Sequence, residues 1–229
     1  GRLYIMNIDH CNSHSSFMDK VEMSNLCQEI TLPTKPIQHI DDPDGEIALC
    51  ILSAINVGKI RDLEDLQVII DLDLEYVAVS FPCCGDDLLP VKNALKKANC
   101  NAKIIAKIEN LEGVNNIDEI LESAYGIMVA RGDLGVEVSF DRVPLIQKLI
   151  VEKCIAQAKP VIIATQMMET MITSLTPTRA EVNDVANSVM DGADAVMLSG
   201  ETSVGQYPIQ VIRQMANILK RVEDSPLIQ

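Results

Sequence analysis

The 229-residue chain has no tryptophan, few aromatic residues and a shortage of positive charge. Nineteen Lys and Arg face 33 Asp and Glu, so the net charge is −14. This balance argues against a nucleic-acid surface, which needs clustered cations. No run approaches about 20 consecutive apolar residues, so we expect no membrane span. The seven cysteines are odd in number, irregularly spaced and without a C-x-x-C pair, which favours reduced thiols in an intracellular compartment.

From about residue 76 onward, apolar strand-like runs alternate with amphipathic stretches of helical period. Continuous apolar runs are typical of parallel strands covered on both faces, and a repeat of about 30 residues matches a βα unit. The pattern predicts an α/β fold, a partial (β/α)8 TIM-type barrel in which about units 4–8 are recognisable. The predicted strands are YVAVSF (76–81), KIIAKIE (103–109), GIMVAR (126–131), PVIIAT (160–165) and DAVMLSG (194–200).

The first part of the chain has a different character. The stretch TLPTKPIQHIDDPDGE holds three prolines and a Pro-Asp-Gly turn, which predicts a loop or linker. A helical pattern at Asp62–Leu72 suggests that a further unit begins upstream of the first clear strand. We therefore divide the chain into a divergent segment, 1–55, and a partial barrel domain, 56–229.

Polar residues follow four successive predicted strands at their carboxyl ends, where the chemistry of a closed α/β barrel is located. Lys107 and Glu109 point to one face because strand side chains alternate with period two, and Asp133 is predicted in a tight Gly-flanked turn. The alternative is an internal Lys107–Glu109 ion pair with routine turn residues elsewhere. The candidate site residues are Lys107, Glu109, Asp133, Thr165, Ser199 and Glu201.

This set of residues suits a metal-assisted enolate or phosphoryl site. Glu109 and Asp133 offer hard oxygen ligands for Mg²⁺ or Mn²⁺. The N–H groups of Gly132 and Asp133 lie at a possible helix start and could hold a substrate carboxylate. Lys107 could neutralise a phosphoryl group or an enolate oxygen, and Thr165 could position a water or a proton.

The stretch KIIAKIENLEGV, from Lys103 to Val114, resembles the active-site signature of pyruvate kinases. The segments GIMVARGDLGVEV, KPVIIATQMMETMI and PTRAEVNDVANSVMDGADAVMLSGETSVGQYP resemble the segments that follow in that family, in the same order. The resemblance covers about Asn56 to Glu223. It implies phosphoryl transfer from phosphoenolpyruvate to ADP, giving pyruvate and ATP in the last step of glycolysis.

The resemblance also implies a role for each matching residue. Lys107 would stabilise the transferring phosphoryl group and the enolate, and Glu109 with Asp133 would bind Mg²⁺ or Mn²⁺. Gly132, Asp133 and Thr165 would bind the enolpyruvate moiety.

Further implications of the resemblance concern proton delivery and the rest of the protein. Ser199 and Glu201 would belong to a proton-delivery network. Independently of the resemblance, Asn183 and Asp184 in EVNDVAN could either polarise a helix start or support Thr165. K⁺ is expected from the family, but its ligands and several ADP contacts are not recognisable in this chain. Residues 1–55 could be a remnant of the family's lid domain and a linker.

The resemblance further implies a homo-oligomer, the family's tetramer, in the cytoplasm, or in a plastid-like organelle if a transit peptide lies upstream. The alternatives are a catalytically incomplete phosphoenolpyruvate-binding or structural relative, and another Mg²⁺-dependent barrel that makes or breaks C–C bonds through an enolate.

Overall fold

The computed structural model describes residues 23–24, 31–32 and 75–226, and the chain divides into two units, Gly1–Ser53 and Ala54–Gln229. In the first unit, strand β1 (Met23–Ser24) pairs antiparallel with strand β2 (Thr31–Leu32). The helix predicted at Asp62–Leu72 and most of the predicted linker lie outside the described residues. The assignment of residues 1–55 as a lid remnant stays a prediction.

The second unit contains a parallel sheet whose strands follow one another in chain order. Each strand pairs in parallel with the next, so all carboxyl ends meet at the same edge of the sheet. The five predicted strands are confirmed, each ending one to three residues earlier than the apolar run. The strands are β3 (Tyr76–Val79), β4 (Lys103–Ile108), β5 (Gly126–Ala130), β6 (Val161–Ala164) and β7 (Ala195–Met197).

Helices connect the strands, as the alternating pattern predicts. Proline stands in the first turn of three of them, where its missing N–H costs no hydrogen bond. The helices are α1 (Leu89–Lys97), α2 (Leu111–Asn115), α3 (Ile117–Ser123), α4 (Arg131–Glu137), α5 (Val143–Ala156), α6 (Arg179–Met190), α7 (Gly200–Ser203) and α8 (Pro208–Glu223). Short 3₁₀ turns at Gly85–Leu88 and Glu169–Ile172 precede α1 and α6.

The core lies between the sheet and the helices that cover it. Strand β5 is buried along its whole length, which explains its unbroken apolar run. The methionines of QMMETM are core residues, since Met167, Met168 and Met171 are at most 1% exposed. Within the described residues, no helix combines the length and apolar character that crossing a bilayer requires.

Candidate active site at the carboxyl ends of the strands

Lys107 and Glu109 form an ion pair at the carboxyl end of β4. The Lys107 Nζ lies 2.6 Å from Glu109 Oε1, which confirms that the two side chains share a face. The Lys107 ammonium also donates to Ser80 Oγ at 3.0 Å, and the backbone N–H of Phe81 donates to Glu109 Oε2 at 2.8 Å. The loop after β3 therefore helps to hold both side chains. The Lys107 side chain is 24% exposed and that of Glu109 only 1%.

The environment of Glu109 is unusual for a carboxylate. Burial raises its pKa above the ordinary value, the Asp133 charge raises it further, and the Lys107 ammonium and the Phe81 N–H counteract this only in part. Oε1 has the ammonium of Lys107 as its charged neighbour, but accepts no well-aligned hydrogen bond from the residues described. A buried oxygen left in this state is suited to coordinating a cation.

Asp133 supplies the second candidate ligand. It lies in the first turn of α4, which begins at Arg131 directly after β5. The prediction of a tight turn here is therefore wrong, because the chain passes from strand to helix without a loop. In the part of the chain that the structure describes, no group of three or more His, Cys, Asp or Glu is arranged to hold a metal. Two carboxylates nevertheless fit Mg²⁺, which commonly binds one or two carboxylates and keeps several waters.

Thr165 and Gly132 are brought together from neighbouring strands. The Gly132 N–H donates to Thr165 Oγ1 at 2.8 Å, and that hydroxyl donates to the Ala164 carbonyl at 2.6 Å. A β-carbon at position 132 would lie 3.3 Å from Thr165 Oγ1, tighter than ordinary contact. The Gly132 N–H, expected to meet a substrate carboxylate, here binds the threonine hydroxyl. The two predicted substrate residues thus form one hydrogen-bonded unit.

The backbone at Thr165 and Gln166 is left-handed, with φ of 68° and 55°. This conformation is unfavourable for non-glycine residues, above all for a β-branched one, and needs support from its surroundings. Arg131 gives that support. Its Nε and Nη2 donate to the Thr165 carbonyl at 3.1 and 2.8 Å, and Nη2 also donates to the Gln166 carbonyl at 3.0 Å.

Arg131 is buried and is itself held from α5 and α6. Its Nη1 donates to Asp184 Oδ1 at 2.7 Å and to Gln147 Oε1 at 3.4 Å. Of the two roles considered for Asp184, the structure shows the second, because Asp184 supports Thr165 through Arg131. Sequence reasoning missed Arg131 as a site residue. The sequence does place this arginine directly between a buried strand and the Gly132-Asp133 pair. Because a buried charge requires a partner, that position could have indicated its role.

Glu201 and Ser199 connect the loops that follow β6 and β7. Glu201 is 2% exposed, its Oε2 accepts the Ser199 N–H at 2.7 Å, and its Oε1 accepts the Met168 N–H at 3.2 Å. No hydrogen bond among the described residues links Glu201 to Lys107. The contacts of Glu201 indicate that it positions the two loops, and the proton-delivery role of this pair stays a prediction.

A parallel α/β sheet with two carboxylates, a lysine and a threonine at its carboxyl edge is the arrangement expected of a partial TIM-type barrel. The model of the family "Pyruvate kinase, barrel domain" matches residues 21–212. This chain belongs to the pyruvate kinase family, which confirms the resemblance and the partial TIM-type barrel.

Curated relatives match most of this chain but less than half of their own length. The chain is 41% identical to "Pyruvate kinase" of Geobacillus stearothermophilus over 232 residues, which cover 93% of this chain and 40% of the relative. Identity to "Pyruvate kinase" of Dictyostelium discoideum is 49% over 163 residues, covering 71% of this chain and 32% of the relative. Identity to "Pyruvate kinase PKLR" of Rattus norvegicus is 48% over 163 residues, covering 71% of this chain and 28% of the relative.

Proposed function

We propose that this chain provides the enolpyruvate- and cation-binding half of a pyruvate kinase site. In the complete site, a phosphoryl group passes from phosphoenolpyruvate to ADP, giving pyruvate and ATP. The observation that carries this proposal is the buried Glu109 carboxylate, with Oε1 facing only the Lys107 ammonium among the described residues. An internal ion pair alone would not explain why the buried Oε1 of Glu109 lacks an aligned hydrogen-bond donor among the described residues.

Glu109 and Asp133 would hold Mg²⁺ or Mn²⁺ in this site. When bound, the cation supplies positive charge that neutralises substrate oxygens and polarises the reacting group. Glu109 is fixed for this role by the Phe81 N–H, so the carboxylate loses little freedom on binding. A bound cation also offsets the burial that raises the Glu109 pKa and keeps that side chain ionised.

Lys107 and Thr165 would act on the substrate itself. The contact with Ser80 holds the Lys107 ammonium at the carboxyl edge of the sheet, where it would neutralise the charge that develops on the phosphoryl and enolate oxygens. The Thr165 hydroxyl is oriented by Ala164 and Gly132 and would position the proton that reaches the enolate. Asp133 and Gly132, in the first turn of α4, would bind the enolpyruvate moiety beside it.

A second candidate is a relative that binds phosphoenolpyruvate without turning it over, or that has a structural role. This candidate is considered because the match spans only 40% of the length of the Geobacillus relative, and because no ADP or K⁺ ligand is assigned in this chain. Assembly into a homo-oligomer and a cytoplasmic or organellar location also stay predictions from the family.

Calorimetric titration of oxalate, an enolate mimic, with and without Mn²⁺ tests the leading proposal. We expect oxalate to bind only with Mn²⁺, and Glu109→Gln to abolish this binding. Lys107→Met should retain Mn²⁺ but bind oxalate about tenfold more weakly or worse, because one charge-assisted contact is lost. The matched control is Glu152→Gln, which changes an exposed glutamate on α5.

The results separate the candidates clearly. Metal-dependent oxalate binding that is lost in Glu109→Gln and kept in Glu152→Gln supports the proposed half-site. Oxalate binding without metal, or unchanged in Glu109→Gln, would contradict it. Oxalate binding to this half-site, with no pyruvate formed from phosphoenolpyruvate and ADP by the complete site, would favour the second candidate.

A further inference from the structure

A cavity opens at the opposite end of the strands, away from the candidate active site. Its volume is about 560 Å³, within the range of about 300–1,000 Å³ that is typical of metabolite sites. We call it the lysine groove. Its lining residues are Lys92, Leu95, Lys96, Asn99, Cys100, Asn101, Ala102, Ile104, Ser123, Ala124, Tyr125 and Lys159. They come from α1, from the start of β4 and from the segments that lead into β4, β5 and β6.

The charge of the lysine groove is opposite to that of the chain. Among the described residues, three lysines and no Asp or Glu line it, although carboxylates outnumber cations 33 to 19 in the sequence. Lys159 Nζ donates to the Ala124 carbonyl at 2.5 Å, which anchors that ammonium group at the wall. Within the described residues, Lys92, Lys96 and Lys159 form no ion pair. Positive charge is therefore concentrated here without a counter-charge from the part of the chain that the structure describes.

Local structure explains only part of this arrangement. Lys96 lies in the last turn of α1, where a cation interacts favourably with the helix dipole. Lys92 lies four residues earlier, and like charges at this spacing destabilise a helix. Lys159 reaches the groove from the segment before β6, a different part of the chain. A bound anion would relieve the repulsion among the three ammonium groups.

The groove also offers neutral hydrogen-bonding groups. Asn99, Asn101, Ser123 and Tyr125 are among its lining residues, and their side chains carry neutral hydrogen-bond donors that could supplement the lysines. Ile104 lines the groove at the start of β4, while Lys107 lies near the other end of the same strand. The lysine groove is thus separate from the residues of the candidate active site.

We propose that the lysine groove binds a small polyanion, a metabolite-sized compound with two or more phosphate or carboxylate charges. Several ammonium groups around one cavity recognise charge number rather than one planar geometry, since each lysine acts as a point charge. Binding should be selective for multiply charged anions over monovalent ones and should weaken with ionic strength. This inference does not depend on the proposed catalytic function.

The test is calorimetric titration of the chain with inorganic pyrophosphate, and separately with citrate, at fixed ionic strength. Divalent cations are removed beforehand with a chelating resin, and none is added, so that no cation can bring the anion to Glu109 and Asp133. We expect saturable binding of at least one probe. Lys92→Met/Lys96→Met should weaken it about tenfold or more, because two charged contacts are lost while the apolar stems remain.

Two control variants locate the bound anion. Lys97→Met removes an exposed lysine of α1 that does not line the groove, so binding should persist. Lys107→Met tests the candidate active site and should also leave binding unchanged. Pyrophosphate binding with no citrate binding would identify a phosphate site, and the reverse a carboxylate site. No saturable binding, or an equal loss in Lys97→Met or in Lys107→Met, would overturn the proposal.

Discussion

We predict that Arg131 supports both the fold and the candidate site. It joins three parts of the chain, because its guanidinium binds the Thr165 and Gln166 carbonyls, the Asp184 carboxylate and the Gln147 side chain. Arg131→Met keeps a long apolar stem but removes every one of these donors. The substitution should therefore both destabilise the fold and release the left-handed turn at Thr165.

The size of the effect follows from burial. Removing one partner of a buried ion pair costs about 3–5 kcal/mol, because the remaining charge is left uncompensated. Asp184 keeps 34% of its side chain in solvent, which places the expected loss at the lower end, about 3 kcal/mol. Two carbonyls would also lose their donors. We expect Asp184→Asn to cost about 1 kcal/mol, since an amide oxygen can still accept from the guanidinium.

Urea denaturation followed by far-ultraviolet circular dichroism measures the loss of stability, and Mn²⁺-dependent oxalate titration measures the site. Arg131→Met should weaken oxalate binding even under conditions where the variant is fully folded. The matched control is Arg213→Met, an exposed arginine on α8, which should change stability by about 0.5 kcal/mol or less. A loss below about 1 kcal/mol with unchanged oxalate affinity would refute the role assigned to Arg131.

Two further predictions concern groups with shifted pKa values. Burial raises the pKa of Glu181, but hydrogen bonds from Thr170 and Thr178 outweigh this effect and lower the pKa overall. The ionised Glu181 side chain therefore stabilises the fold above about pH 4.3, and this stabilisation is lost as the pH falls. Glu181→Gln should lower the free energy of unfolding by about 1 kcal/mol at pH 7, as measured by urea denaturation. If the difference in unfolding free energy between the two proteins does not shrink at low pH, the assignment is contradicted. Burial raises the pKa of the Cys154 thiol to about 12, so its contribution to stability is present below about pH 8.5 and lost as pH rises. In the folded chain at pH 8, iodoacetamide followed by mass spectrometry should modify Cys84 and Cys100 well before Cys154, and equal rates would contradict its burial.

Local periodicity was enough to predict much of the fold and part of the site. Apolar runs located the five strands, and period two placed Lys107 and Glu109 on one face, as the structure shows. The surroundings of Thr165 were not predictable in this way. Its partners Gly132 and Arg131 lie 33 and 34 residues away, and no local pattern records which side chain reaches its carbonyl.

The sequence by itself determined the alternation of strands and helices and the presence of polar residues at the carboxyl ends of the strands. These features follow from side-chain period and apolar content, which act over a few residues. Only the tertiary structure decided that Arg131 fixes the turn at Thr165. It alone also brought two lysines of α1 and Lys159 to one groove, in which the described residues include no carboxylate. The physical reason is that the energy of a buried charge, or of several like charges close together, depends on the groups nearest to it in space. Chain order does not specify which groups these are.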